Sequence, residues 1–330
     1  MKAIVRTKYG SPSVLHLEEV EKPTPIDNQV LVEVHAACIN KADLFFLKGP
    51  FLARLMGVGL RKPKNKALGT DIAGRVEAVG ENVKQFQSGD EVFGWCGQKA
   101  FAEYALTREK ALVLKPANVT SEEAATVPVA ATTALQALRD KGHVQPGQKV
   151  LINGASGGVG TFAVQIAKSF GAEVTAVCST GKLDMVRSIG ADHVVDYTQE
   201  DVTKSGQRYD LIIAVNGYHS ILSYRRALSP KGTYVQAGGS RPLFGLFEAL
   251  LLGGLISVIG SKKMGFMGIA KMNQKDLVFL KELLEASKIK SVVDRIYPLS
   301  EAAEAFRYFE EGHVRGKVVI TLERTHQKAD

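Results

Sequence analysis

Cysteine is scarce: the 330 residues contain three, at positions 38, 96 and 178. An odd number at wide spacing excludes a disulfide framework, and no C-x-x-C pair is present to build a structural zinc site. A reducing compartment is the expectation that follows. Polybasic tracts are also missing. Lys and Arg together number 42 against 34 Asp and Glu, a formal +8, but no run of five or more bases occurs. The excess biases partners toward anions such as phosphates, nucleic acid or an acidic membrane surface. Its even spread makes a solvated surface the plainer reading. The opening MKAIVRTKYG reads as a strand, without the apolar core of a secretory signal, so a cytoplasmic setting is expected. Internal repeats and low-complexity tracts are absent.

Long hydrophobic runs reduce to one. Residues 243–260 (LFGLFEALLLGGLISVIG) carry a single charge, Glu248, at the lower limit of membrane-spanning length. Glu248 near the middle, the Gly253-Gly254 break and the turn-forming Arg241-Pro242 argue for a short buried helix followed by a buried strand at 255–259. Contact with a membrane surface is kept as an unfavoured alternative. With 45% hydrophobic and 23% charged residues, the composition is that of a globular chain, and its length corresponds to about two domains.

The first 120 residues carry β signals. QVLVEVHA (29–36) and IAGRVEAV (72–79) alternate apolar and polar residues, with Gly-Asp turns such as Ser88-Gly89-Asp90 between them. The pattern lapses between residues 44 and 68 into a long irregular insert rich in Gly, Pro and scattered bases, the kind of segment that serves as a functional flap or forms a disordered tip. Its Phe45, Phe46, Phe51 and Leu55 would make an apolar substrate wall or, equally, plain core. Thr120 to Glu123 has the form of a helix start, and residues 124–138 are strongly helical in composition. From Gln148 onward strands (149–153, 173–179, 193–197, 211–215, 233–237) alternate with helices (159–170, 183–189). Such alternation implies a parallel, doubly wound α/β sheet. A helix at 275–286, then a helix and the strand Gly316-Lys317-Val318-Val319-Ile320, complete the chain.

The sharpest motif is Asn153-Gly154-Ala155-Ser156-Gly157-Gly158-Val159-Gly160, which follows an apolar strand and opens a helix. Gly154, Gly157 and Gly160 are spaced as in dinucleotide-binding turns, where small residues let backbone N–H groups and the positive helix end approach a pyrophosphate. Ser156, Gly158 and Val159 complete that cradle, and Gly160 permits close helix–strand packing. The next strand selects the cofactor. A site for NAD places Asp or Glu at its end to hold the ribose 2′-hydroxyl. This chain reads Cys178-Ser179-Thr180-Gly181-Lys182, with no acid until Asp184. Two hydroxyls and an ammonium suit a 2′-phosphate, so the expected cofactor is NADPH.

With these motifs in place the chain resembles the zinc-free quinone oxidoreductase (zeta-crystallin-like) branch of the medium-chain dehydrogenase/reductase superfamily. The resemblance rests on LGTDIAGRVEAVG (68–80), SGDEVFG (88–94), AFAEYA (100–105), PVAATTALQAL (128–138), GASGGVG (154–160), IGADHVVDY (189–197) and GKVVI (316–320), and it spans nearly the whole chain. It implies a Rossmann doubly wound parallel sheet, residues 123–267, inserted into a GroES-like β-rich catalytic domain made of 1–122 plus 268–330, with the active site in the cleft. It further implies that Tyr197 joins Ser179, Thr180 and Lys182 around the 2′-phosphate, and that Thr133 lies near the nicotinamide. Asn216 and Ala237, Gly238 and Gly239 follow strand ends where cofactors lie. Cys178 stands where the family more often has glycine or a small polar residue. A homodimer is also implied.

Zinc members of that superfamily carry a Cys followed three residues later by Asp, and a Gly-His-Glu triplet. Here those places read Asn40-Lys41-Ala42-Asp43 and Gly69-Thr70-Asp71. Cys38 is two residues out of register, only a short turn separates Gly94 from Phe101 where a four-cysteine lobe would stand, and the seven His are scattered. No metal is expected. Alcohol oxidation without a metal lacks a means of stabilising the alkoxide, so the expected acceptors are quinones and α,β-unsaturated carbonyls, which delocalise the charge that hydride brings. The protein then serves to orient the reactants and exclude water. Asn40 is a candidate donor to the acceptor carbonyl or to the cofactor ribose, and Asp43 a candidate catalytic or orienting carboxylate, with solvent as the proton source. Two other functions stay open on sequence alone: an enoyl-thioester reductase, and a non-catalytic NADPH-binding protein that contacts RNA or membrane.

Overall fold

The computed structural model describes residues 1–50, 54, 59–97, 99–216, 219–238 and 261–322. In chain order the strands begin with β1 (Lys2–Val5), β2 (His16–Glu19) and β3 (Gln29–Cys38), then helix α1 (Lys41–Lys48). β4 (Asp71–Val79), β5 (Glu91–Trp95), β6 (Tyr104–Arg108) and β7 (Leu112–Leu114) follow, and then helices α2 (Ser121–Ala125) and α3 (Val127–Leu135). The α/β alternation runs β8 (Lys149–Asn153), α4 (Gly158–Ser169), β9 (Glu173–Cys178), α5 (Leu183–Ser188), β10 (His193–Asp196), β11 (Tyr209–Ala214), α6 (Ile221–Ala227), β12 (Leu228–Gln236) and β13 (Lys263–Phe266). Helix α7 (Gln274–Glu285), β14 (Val293–Pro298), α8 (Ala302–Glu310) and β15 (Lys317–Thr321) complete the described order.

These elements form two compact units: Met1–Val129 with Met272–Glu285 and Ser291–Asp330, and Ala130–Lys271 with Ala286–Lys290. The first is built on a sheet ordered β14-β15-β3-β4-β5-β7, with β6 also paired to β3. β3 is its spine. It pairs antiparallel with β4 through Cys38↔Asp71 and with β15 through Cys38↔Val319, which brings the start of β4 and the start of β15 to the end of β3. Val30, Val32 and Val34 of β3, Ile72 and Val76 of β4 and Val318 and Ile320 of β15 share one buried core. Burial of such alternating β-branched side chains is worth roughly 1.5–3 kcal/mol each. Phe101 closes this core edge-on against Phe306 of α8, 5.6 Å between ring centroids.

The second unit is a parallel sheet in the order β10-β9-β8-β11-β12-β13. The order reverses direction at β8, between β9 and β11, which is where ligands bind in doubly wound sheets. Leu151, Val177, Ile212, Ala214, Tyr224 and Tyr234 lie in its core.

The helix start expected at Thr120 is a full capping box: the Thr120 hydroxyl accepts from Glu123 N at 3.2 Å and Glu123 Oε2 accepts from Thr120 N at 2.9 Å. The single helix expected over residues 124–138 is broken after Ala125 and ends in a wide turn from Gln136 to Lys141. Pro128 explains the break, since it has no N–H to continue the ladder. The strand expected at 255–259 lies outside the described residues, as does the rest of the apolar run 243–260. The described edge strand is β13, which the sequence reading did not mark. Phe51 and Leu55 also lie outside the described residues. Phe45 and Phe46 pack edge to face at 5.8 Å, with Phe46 against the first unit's core.

Candidate functional site

The glycine-rich turn leaves β8 and enters α4 without a side-chain cap at Gly157. The first-turn amides of any helix have no acceptor within the helix itself, so Gly158, Val159 and Gly160 present donors at the positive end of a 12-residue helix. Gly154 adopts φ +85°, a left-handed conformation that favours glycine, and a Cβ there would fall 2.9 Å from the Cβ of Asn216. A Cβ on Gly160 would stand 2.1 Å from Gly154 O, so the helix can sit this close to the turn only without a side chain. At Gly157 the nearest atom to such a Cβ is Gly154 O at 3.7 Å, which leaves room for a ligand. Ser156 is buried in the same turn. This cradle fits the pyrophosphate of a dinucleotide.

Other residues expected at the cofactor gather at the same strand ends. Asn216 follows β11, and its amide donates to Asn153 O at 3.3 Å. Ala237 follows β12 and donates to Ala214 O at 2.9 Å, while a Cβ on Gly238 would meet Val215 O at 2.2 Å. Thr133 is half-buried on α3. Gly239 lies outside the described residues. Asn153, which opens the glycine motif, is buried and its Nδ2 donates to the Tyr224 hydroxyl of α6, a tie that the motif alone does not reveal.

Ser179, Thr180 and Lys182 stand in the turn after β9, and Tyr197 follows β10. The two strand ends are tied together, with Asp196 opposite Cys178 and Tyr197 N donating to Cys178 O at 3.1 Å. Along the chain no acid comes between β9 and Asp184, as read, but the fold adds one in space. Asp196 is an acid 12 residues further along the chain, and parallel pairing brings it to the end of β9. It accepts the hydroxyl hydrogen of Thr180 and is bonded by Thr198 N at 2.9 Å and Thr198 Oγ1 at 2.8 Å. These bonds, that of Thr180 above all, hold its carboxyl below the usual range, so it is ionised at neutral pH. The donor set still fits a 2′-phosphate through Lys182, Ser179 and Tyr197, with one opposing charge.

A second constellation occupies the first unit at the end of β3. Asn40 caps α1, and its backbone N–H is accepted by Asp43 Oδ2 at 2.7 Å, the reciprocal arm of a capping box. The Asn40 side chain is gripped at both ends. Lys317 Nζ donates to Asn40 Oδ1 at 2.6 Å, and Asn40 Nδ2 donates to Asp71 Oδ2 at 2.9 Å. An ammonium can only donate and a carboxylate can only accept, so the amide orientation is fixed. Val129 N also donates to Asp71, at 3.2 and 3.3 Å, and Lys317 Nζ reaches Ile39 O at 3.4 Å. All four side chains are buried, Asp71 completely. Burial pushes the Asp43 carboxyl up to about 7, reinforced by the Asp71 charge and opposed by the Asn40 and Gly69 amides and Lys317. Burial raises Asp71 to about 6 against the pull of Lys317, Asn40 and Val129. Burial thus raises both carboxyls, and Lys317 is the cation that draws both down.

The sequence reading singled out Asn40 and Asp43 but not Asp71 or Lys317. The available signal was a Lys opening an otherwise apolar strand in GKVVI, and an Asp opening IAGRVEAV. Asp43 meets its partners through backbone amides at a helix start, the geometry of an orienting group.

The two cysteines of this unit stand off the zinc-ligand positions, which are Asn40 and Thr70, and have their own engagements. Cys38 is buried with its thiol 3.2 Å from Val318 O, and burial raises it to about 12. Cys96 is likewise buried and raised to about 12. Among the described residues no three His, Cys, Asp or Glu side chains converge in a way that could hold a metal ion, and no helix is long and apolar enough to cross a membrane.

Comparison with known proteins agrees with this geometry. Residues 26–117 match the alcohol dehydrogenase GroES-like domain family, and residues 189–320 match the family described as zinc-binding dehydrogenase. The chain is 36% identical to 2-methylene-furan-3-one reductase of Solanum lycopersicum, over 97% of this chain and 79% of that protein. It is 34% identical to the chloroplastic NADPH-dependent alkenal/one oxidoreductase of Arabidopsis thaliana, with the same coverage of each. The solved structure of the quinone oxidoreductase from Coxiella burnetii superimposes with a TM-score of 0.85 at 30% identity, covering 98% of this chain and 99% of that one.

Proposed function

Because the chain belongs to the quinone oxidoreductase branch of the medium-chain dehydrogenase/reductase superfamily, we propose that it is an NADPH-dependent, metal-independent oxidoreductase that transfers hydride to a quinone or an α,β-unsaturated carbonyl. The observation that carries this reading is the uncapped glycine turn at the start of α4, with the Lys182 donor set at the end of the neighbouring strand. NADPH, when bound, supplies the hydride. Gly154, Ser156, Gly157, Gly158, Val159 and Gly160 would hold its pyrophosphate, and Ser179, Lys182 and Tyr197 would meet its 2′-phosphate. Thr180, whose hydrogen goes to Asp196, closes the same pocket. Thr133, Asn216, Ala237 and Gly238 would lie toward the nicotinamide; Gly239, outside the described residues, belongs to the same proposed set on sequence alone.

Hydride addition to the β-carbon of an enone leaves an enolate, and addition to a quinone leaves a hydroquinone anion. Each is a delocalised charge that a hydrogen-bond donor stabilises. Asn40 is that donor, or a donor to the cofactor ribose. Lys317 and Asp71 hold its amide so that the remaining N–H of Nδ2 has a fixed direction. Asp43 orients Asn40 through the backbone, and solvent delivers the proton. Metal independence is supported by the residues themselves, since Asn40 and Thr70 are poor zinc ligands and Cys38 is turned onto Val318 O.

The reading also includes a homodimer and a cytoplasmic location. Phe266 and Ile269 are exposed on and just after the edge strand β13, as an interface would require, and three free, buried cysteines suit a reducing compartment. Light scattering tests the dimer. The function is tested by NADPH oxidation with a short alkenal and an ortho-quinone in the presence of a chelator. Turnover of at least one acceptor is expected; intact NADPH binding with neither acceptor reduced would overturn the reading.

A further inference from the structure

The pocket at the ends of β9 and β10 contains a charge that works against the phosphate it is built to meet. Thr180 has one hydroxyl hydrogen, and that hydrogen is committed to Asp196 Oδ2. The Thr180 oxygen lies 3.2 Å from Thr198 Oγ1, which itself donates to Asp196 Oδ1. Two hydroxyls and two backbone amides, those of Thr180 and Thr198, therefore converge on a single carboxylate. Asp196, Lys182 and Arg187 all act on the Cys178 thiol electrostatically, the acid in one sense and the two bases in the other. The carboxylate and the bases thus share one small region.

We propose that Asp196 is a specificity-determining residue that weakens the preference for the 2′-phosphate and lets the site accept NADH as well as NADPH. The inference rests on the assignment of this pocket to the 2′ end of the cofactor. The carboxylate repels a phosphate dianion, and because Thr180 and Thr198 fill its acceptor positions, a ribose 2′-hydroxyl donates instead to the Thr180 oxygen whose hydrogen Asp196 holds. Lys182 has the opposite preference. Discrimination between the two cofactors is the balance between these charges, and Thr180 is a positioning residue for the acid rather than a phosphate donor.

The test measures binding directly, by calorimetry with 2′,5′-ADP and 5′-AMP as probes, together with the Michaelis constants for NADPH and NADH. Asp196→Asn keeps an acceptor for Thr180 and removes the charge. Interaction of a carboxylate with a dianion across water should make 2′,5′-ADP bind about two- to tenfold more tightly in this variant. The gain should shrink at high salt, where the screening length falls to about 3 Å, and 5′-AMP should bind no more tightly than before. Thr180→Val should weaken 2′,5′-ADP by less than about twofold, because its hydrogen is not shared with phosphate; a loss of tenfold or more, the scale of a charge-assisted hydrogen bond, would show that it is. An unchanged ratio of the two probes in Asp196→Asn overturns the inference. Lys182→Ala separates the two levels of the argument. If it weakens 2′,5′-ADP while Asp196→Asn does nothing, only the role of Asp196 fails; if neither matters, the location of the 2′ end fails.

Discussion

Replacement of Lys317 by Met removes the one cation from the buried constellation at the end of β3 while keeping the volume of its side chain. Lys317 Nζ contacts Asn40 Oδ1 at 2.6 Å and Ile39 O at 3.4 Å, and its charge offsets the burial of both Asp43 and Asp71. Breaking a buried pair by removing one partner leaves an uncompensated charge and costs about 3–5 kcal/mol. The loss should depend on pH. Both carboxyls have folded-state values, about 7 and about 6, above the ordinary 3.8. The folded state therefore binds more protons than the unfolded one, and stability declines as pH rises from about 4 toward 7. Without Lys317 the folded-state values climb further, so the decline continues to higher pH. The destabilisation at about pH 8 should exceed that at about pH 5.5 by roughly 1–3 kcal/mol. Trp95 is the one tryptophan of the chain and pairs directly with Asp71 across β4 and β5. Its fluorescence during urea unfolding reports on this unit without requiring both units to melt together. A loss below about 1 kcal/mol, or one identical at both pH values, would refute the argument that Lys317 balances two buried carboxyls.

Other outcomes follow from the same geometry. Gly160→Ala places a methyl group 2.1 Å from Gly154 O; about 1–3 kcal/mol of stability and most NADPH affinity should be lost, as read by thermal melting and nucleotide fluorescence titration. Asn40→Ala should leave NADPH affinity within about threefold and lower kcat by tenfold or more, whereas an equal fall in NADPH affinity would assign Asn40 to the ribose instead. Cys38 and Cys96, raised to about 12 by burial, should resist thiol reagents at about pH 8 in the folded protein and react at once in denaturant; rapid labelling of either in the native state would contradict the buried placement.

The second unit was legible in the sequence because its signals are local. The strand expected at 149–153 is β8 to the residue, and the helix expected at 159–170 is α4 shifted by one, since an apolar strand, a glycine turn and a periodic helix each declare themselves within a few residues. The polar turn at 179–182, proposed to meet the cofactor's 2′ end, was marked by the same kind of local signal. Asp196 was not, because the feature that matters is its pairing with Cys178 in a neighbouring strand, 18 residues away in the chain. Asp71 and Lys317 escaped on a larger scale: β3 brings together residues 246 positions apart, and nothing local marks a lysine as buried. The edge strand β13 was missed because KMGF has only one strongly apolar inward position, Met264.

The central claim, hydride transfer to an activated double bond without metal assistance, is tested most directly with NADPH deuterated on the transferred face of the nicotinamide. Chelator-treated enzyme is supplied with that cofactor and an α,β-unsaturated ketone, and the product is analysed by mass spectrometry and NMR. The account predicts a saturated ketone with one deuterium at the β-carbon for each NADPH consumed. An allylic alcohol labelled at the carbinol carbon, or activity that returns only when zinc is added, would contradict it.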